Sequence, residues 1–155
     1  ALLAMAKKQN KKIILDASAF KLFSPNEVAG CLLTPHGGEF KAFFGIEGSA
    51  KNVEKMANNY NCIILRKGVV DVVSDGARTK LNFTGNPGLT KGGTGDILAG
   101  LCASFASANP LFESACAAVY LNCSAGDELM KTYGTAYSCE HLIGQIPRTY
   151  SKLVG

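Results

Sequence analysis

The sequence predicts an α/β fold: a mostly parallel sheet covered by helices, followed by a β-hairpin and further helices. Three observations carry this. The runs in "KKIILDA", "GCLLTPHGGEF" and "CIILRKG" are continuously apolar and end in polar residues, as strands buried on both faces do. A helical period separates the second run from the third. A glycine cluster then opens a long apolar helix in "GNPGLTKGGTGDILAG", residues 85–100.

The elements follow in order. The first strand runs through Ile13, Ile14 and Leu15 to Asp16, and the second through Leu32 and Leu33 to Thr34. Residues Ser49 to Tyr60 put Val53, Met56, Ala57 and Tyr60 on one face and Lys51, Asn52, Lys55 and Asn59 on the other, the pattern of an amphipathic helix. "VVDVVSDGARTKLNF" reads as a hairpin around Asp75-Gly76, residue types that tolerate positive φ. The helix after the glycines carries Ile97, Leu98, Leu101, Cys102 and Phe105 as one stripe. The helix after Pro110 is apolar nearly all round and is expected to be well buried. A last amphipathic helix carries His141, Leu142, Ile143 and Ile146, with Pro147 kinking it or marking its end.

The 155 residues read as a single domain, 1–155, with no internal repeat or linker. "ALLAMAKKQNKKIILD" starts inside an apolar helical pattern, so the chain is expected to begin partway through a fold. Those apolar first residues also predict a homo-oligomer. The net charge is +4 with scattered basic residues. Nucleic-acid binding needs a dense cationic stripe and is not expected; a small anionic ligand is compatible. Six cysteines lack any C-x-x-C pair and sit among apolar neighbours. They read as buried thiols of a reducing, cytoplasmic protein. No run reaches transmembrane length, and no membrane association is expected.

Gly92, Gly93 and Gly95 precede or enter a helix start, where unpaired N–H groups and the positive dipole end favour an anion. Bare of side chains, they let a phosphate reach the backbone; Thr94 can add a hydroxyl and Lys91 a cation. A tight turn with close helix packing would use the same glycines, and the loop alone does not choose. Asp96, in the first helical turn, stabilises a helix by about 0.3–1 kcal/mol wherever it stands. Beside a phosphate cradle it repels the ligand, which makes sense if it takes a proton from an attacking hydroxyl. His36 and Glu39 follow the second strand, where ligands collect in open α/β sheets, although a surface His and a helix-starting Glu are ordinary there. Glu39 could hold magnesium through water. Lys67 ends the third strand, and either solvent or a phosphate suits it. Asp16 has the same placement, with an Asx turn as the alternative.

Together "LTPHGGEF", "IILRKG" and "GNPGLTKGGTGDILAG", in this order, resemble the ADP/ATP-dependent NAD(P)H-hydrate dehydratases of the ribokinase-like superfamily. The likeness runs from "IILDASAF" to "LIGQIPRTY". It implies repair of hydrated NADH or NADPH: a nucleotide, ADP or ATP with Mg2+, phosphorylates the 6-hydroxyl, and loss of phosphate restores the dihydronicotinamide. It further implies that His36 contacts the hydrated dinucleotide and that Lys67, Gly68, Val69, Val70 and Asp71 hold the nucleotide. Gly95 would lie at its phosphates, Asp96 would bind the substrate hydroxyl and take its proton, and Glu39 would stand near magnesium. Members of the family carry further sheet and substrate contacts upstream of the part matched. Ser18 stands where an acidic residue is usual, and Gly37 stands where proline is common, which should loosen the His36 loop. Two other readings are a ribokinase-type small-molecule kinase, for a vitamin precursor or sugar, and a non-catalytic nucleotide-binding piece.

Overall fold

A computed structural model describes residues 2–155. The described residues form a five-stranded sheet in sequential order. The strands are β1 (Ile14–Leu15), β2 (Leu32–Leu33), β3 (Ile63–Arg66), β4 (Asp71–Ser74) and β5 (Thr79–Asn82). β1, β2 and β3 are parallel, with Leu15 beside Leu33 and Leu33 beside Ile64. The predicted hairpin does not stand apart from this sheet. β4 pairs antiparallel with β3, and β5 with β4, so the hairpin extends it. Gly76 takes φ +89° in its turn.

Alternation along the strands divides the interior in two. Leu15, Leu33, Ile64 and Val72 face a core built with Phe40 of α2 (Gly37–Phe44) and with Val53, Met56 and Ala57 of α3 (Ala50–Asn59). Leu32, Leu65 and Val73 face Leu98 and Cys102 of α4 (Thr94–Ala106) and Ala115, Ala118 and Val119 of α5 (Leu111–Tyr133). The expectation of a sheet covered on both faces is met. α1 (Leu2–Lys8) contributes Leu3 to the first core but leaves Leu2 and Met5 exposed.

Two helices depart from expectation. α5 is not buried all round: Ala117 and Tyr120 lie open, because only the face toward the sheet and α4 is covered. In α6 (Cys139–Val154) Leu142 is buried, whereas Ile143 is exposed. Pro147 does not end the helix, which continues to Val154. Proline removes the N–H that would pair with the Ile143 carbonyl. Both residues lie on an open face, so water can take that carbonyl. All six cysteines are free. Burial pushes Cys62, Cys102 and Cys123 up to about 12, which makes them inert fillers of the core. Among the described residues no helix is long and apolar enough to cross a membrane.

Candidate functional site

The carboxyl ends of the parallel strands and the start of α4 meet at one place. Asp16 follows β1 and Lys67 follows β3. Lys67 Nζ donates to Asp16 Oδ1 at 2.9 Å, with side chains 22% and 13% exposed, so the pair is largely withdrawn from water. The alternative of an Asx turn is not realised: the Asp16 carboxylate makes no cap bond and turns to Lys67 instead. Ala17, next in sequence, is held at φ +50°, a conformation L-residues avoid and one that often marks functional sites. A methyl group placed on Gly95 would lie 3.5 Å from Lys67 Nζ and 3.9 Å from Asp16 Oδ2. The ion pair therefore abuts the first turn of α4. There Gly95 and Asp96 have no carbonyl four residues back to receive their N–H groups. Asp96 is exposed and, among the described residues, enters no ion pair.

The rest of the glycine segment is built to hold its own shape. Asp127 of α5 accepts from Gly85 N and Asn86 Nδ2, both at 2.9 Å. Asn86 Oδ1 accepts from Gly88 N and from the Tyr137 hydroxyl. Gly93 takes φ +94° before α4, and a methyl there would lie 2.9 Å from Cys139 Sγ. Thr94 does not present its hydroxyl to a ligand. It is buried and donates to the carbonyls of Leu89 (2.6 Å) and Lys91 (2.9 Å). Lys91 likewise points away, donating to the carbonyls of Thr135 and Tyr137 and lying over the Tyr137 ring. Both had been expected at the anion. The backbone of Gly92, Gly93 and Gly95 remains as the candidate cradle. No sequence signal pointed to Asp127, because its partners lie about forty residues away.

At His36 the structure shows a cap. Its Nδ1 accepts from Gly38 N (3.0 Å) and Glu39 N (3.2 Å), while Glu39 Oε2 accepts from His36 N (2.8 Å). This reciprocal box starts α2 and fixes the segment that Gly37 was expected to loosen. The imidazole is exposed, with its Nε2 3.6 Å from Glu39 Oε1, and the residue pairs in parallel with Lys67 as an isolated bridge that carries the sheet one step further. Glu39 already has one oxygen committed to the box. Among the described residues no three metal-ligating side chains gather. That donor set fits a magnesium ion carried in on nucleotide phosphates and reached through water, since Mg2+ keeps several waters and needs few carboxylates. It does not fit an ion caged by protein alone.

The segment from Lys67 to Asp71 divides in two. Gly68 and Val69 are exposed, Val69 completely. Asp71 is not open to a ligand: it is buried, accepts from Gly68 N (2.9 Å) and Asn82 Nδ2 (3.0 Å), and receives the Cys123 thiol. Its side chain shapes the loop from below. An open groove of about 590 Å³ lies elsewhere, between β5 and the outer face of α5. Among its charged residues Arg78 and Glu113 pair with each other at 2.7 Å, leaving Lys80 at its rim, and it lies away from the ends of the parallel strands.

Comparison with known proteins gives the family. A family model described as NAD(P)H-hydrate dehydratase matches residues 1–148. The chain belongs to that family. It is 44% identical over 140 residues to the bifunctional NAD(P)H-hydrate repair enzyme Nnr of Archaeoglobus fulgidus, covering 90% of this chain and 29% of that protein. It is 42% identical over 155 residues to the ADP-dependent (S)-NAD(P)H-hydrate dehydratase of Cenarchaeum symbiosum, covering 92% and 54%. Among solved structures it is similar to the ADP/ATP-dependent NAD(P)H-hydrate dehydratase of Bacillus subtilis co-crystallised with ATP/Mg2+ and soaked with CoA. That match has a TM-score of 0.81 and 27% identity, over 92% of this chain and 56% of the other. The chain thus spans roughly half or less of the family members it matches, and the fold is the ribokinase-like one expected.

Proposed function

We propose that this chain carries the nucleotide site and the proton acceptor of an ADP- or ATP-dependent dehydratase of hydrated NADH and NADPH, a metabolite-repair enzyme. The observation that carries the reading is the meeting of Lys67, Asp16, Gly95 and the free carboxylate of Asp96 at the start of α4. The relatives' names, which specify ADP or ATP dependence and a hydrated dinucleotide, support it.

In this reading the terminal phosphates of the nucleotide rest on the bare backbone of Gly92, Gly93 and Gly95, at the positive end of α4. Lys67 supplies a point charge beside them, held in place by Asp16. The 67–70 segment, with Gly68 and Val69 exposed, lies along the nucleotide, and the Asp71 carboxylate fixes that segment's turn. His36 presents its exposed imidazole to the dinucleotide. Asp96 accepts the proton as the substrate 6-hydroxyl attacks the terminal phosphorus, the O–P bond forms and the bridging O–P bond of the nucleotide breaks. Inorganic phosphate then leaves C6 with its bonding electrons, a ring proton is lost, and the dihydronicotinamide double bond returns. Magnesium, approached by Glu39 through water, would neutralise charge developing on the phosphates. A homo-oligomer in the cytoplasm completes the proposal, supported by the exposed apolar residues of α1 and by six free thiols.

The test is recovery of dihydronicotinamide absorbance from hydrated NADH, with ADP or ATP and magnesium. Nucleotide-dependent turnover is expected. Nucleotide binding with no turnover would favour a non-catalytic nucleotide-binding piece, and turnover of another alcohol would favour a small-molecule kinase.

A further inference from the structure

Arg66, the last residue of β3, has no counter-charge among the described residues. It stands on the same face of the strand as Ile64, toward α2 and α3. Its stem is enclosed: a methyl on Gly48 would meet Arg66 Cγ and Cδ at 3.2 Å. Its guanidinium curls back over the next loop, where a methyl on Gly68 would lie 2.1 Å from Nη1. The hydrogen bond it makes there is long, from Nη1 to the Lys67 carbonyl at 3.4 Å. Nε is buried with no partner. Among the described residues no carboxylate lies within ion-pair distance of it.

The other half-buried cations have closer acceptors, a carboxylate for Lys67 and backbone carbonyls for Lys7 and Lys91. Lys7 reaches the Glu27 carbonyl at 2.6 Å, Lys67 reaches Asp16 at 2.9 Å, and Lys91 reaches the Thr135 carbonyl at 3.0 Å. Asp71 is no substitute partner for Arg66. Its oxygens are taken by Gly68, Asn82 and Cys123, on the α5 side of the sheet. Withdrawing a charge from water without a partner is costly, and an apolar side chain at this position would serve the core better. Such a residue makes sense where a ligand supplies the missing anion.

We propose that Arg66 is an anion-binding residue of the site, its planar fork poised above the Lys67–Gly68 peptide to grip a phosphate oxygen of a bound ligand. This rests on the reading of 67–71 as a nucleotide segment. Two donors in a fixed plane match a phosphate as lysine cannot. The phosphate comes either from the adenine nucleotide or from the dinucleotide substrate.

The experiment measures ADP, adenosine, NADPH and NADH binding by calorimetry, together with thermal unfolding, for wild type, Arg66→Met, Arg66→Lys and Lys67→Met. Arg66→Met should unfold at the same or a higher temperature while losing roughly tenfold or more in affinity, the value of one charge-assisted hydrogen bond. Arg66→Lys should keep only part of that affinity. Weakened ADP binding with adenosine unchanged assigns the nucleotide phosphate. Weakened NADPH or NADH binding with ADP unchanged assigns the dinucleotide. Affinities within about twofold of wild type for every ligand in Arg66→Met would overturn the proposal, whatever the unfolding temperature. Should Lys67→Met also leave ADP binding intact, or the wild type bind none of the four, the nucleotide reading itself fails and this inference with it.

Discussion

The turn around Asp75-Gly76 and the glycine segment 85–96 are both polar, and they use their side chains differently. The Asp75–Arg78 turn between β4 and β5 closes on itself. Asp75 accepts from Ala77 N, Arg78 N and Arg78 Nε, Arg78 also reaches Glu113, and Ser74 takes Gly76 N. The 85–96 segment is equally well tied through Asn86, Asp127, Tyr137 and Thr94. It nevertheless ends with bare backbone at a helix start, an ion pair against Gly95, and an exposed carboxylate. A structural turn leaves no polar group over; a turn built for a ligand leaves a few over, and the rest of its polar groups keep those few in place.

The sharpest test of that contrast is Asp96→Ala. Turnover should fall roughly 10²-fold or more, with only a small drop in unfolding temperature, since losing a carboxylate at the helix start costs the fold about 0.3–1 kcal/mol. A large loss of stability instead would make Asp96 a structural residue like Asp75. Gly76→Ala should cost about 1–3 kcal/mol in urea unfolding, since the methyl would sit 2.6 Å from the Asn58 backbone at a φ that L-residues avoid. It should leave nucleotide affinity alone. Asp127→Ala strands two donors and should cost about 1–3 kcal/mol while weakening ADP binding. If it changed stability only, the glycine segment would not need its latch to bind.

The smallest effect concerns acid. Burial raises the Asp75 carboxyl, but hydrogen bonds from Arg78 and Ala77 outweigh it and hold the group below its ordinary value. A carboxyl lowered in the folded state adds stability above its unfolded pKa, and that stability is lost as pH falls through the folded value. Arg78→Met should therefore raise the midpoint of acid unfolding modestly, without shifting any pH dependence of catalysis.

Much of this was legible in the residues. The strand runs, the Ser49–Tyr60 helix and the Asp75-Gly76 hairpin follow from period and turn chemistry, which are local. The meeting of Lys67 with Gly95 was not, because parallel strands join residues far apart in sequence. Thr94, Lys91 and Asp71 show the opposite failure. The types of Thr94 and Lys91 suited a phosphate, and the family resemblance placed Asp71 at the nucleotide, yet neighbours brought in by the fold took up their polar atoms first. Arg66 carries no such signal in the sequence, because a charge at a strand end usually reaches solvent.

By itself, then, the sequence determined the α/β class, the family likeness, the place of the glycine segment and the carboxylate at its end. Those depend on spacing along the chain. The tertiary structure decided which polar groups remain free, since hydrogen-bonding capacity is finite and burial sets which partners claim it. Asp16 went to Lys67, Asp71 and Asp127 to backbone amides, and Asp96 to none.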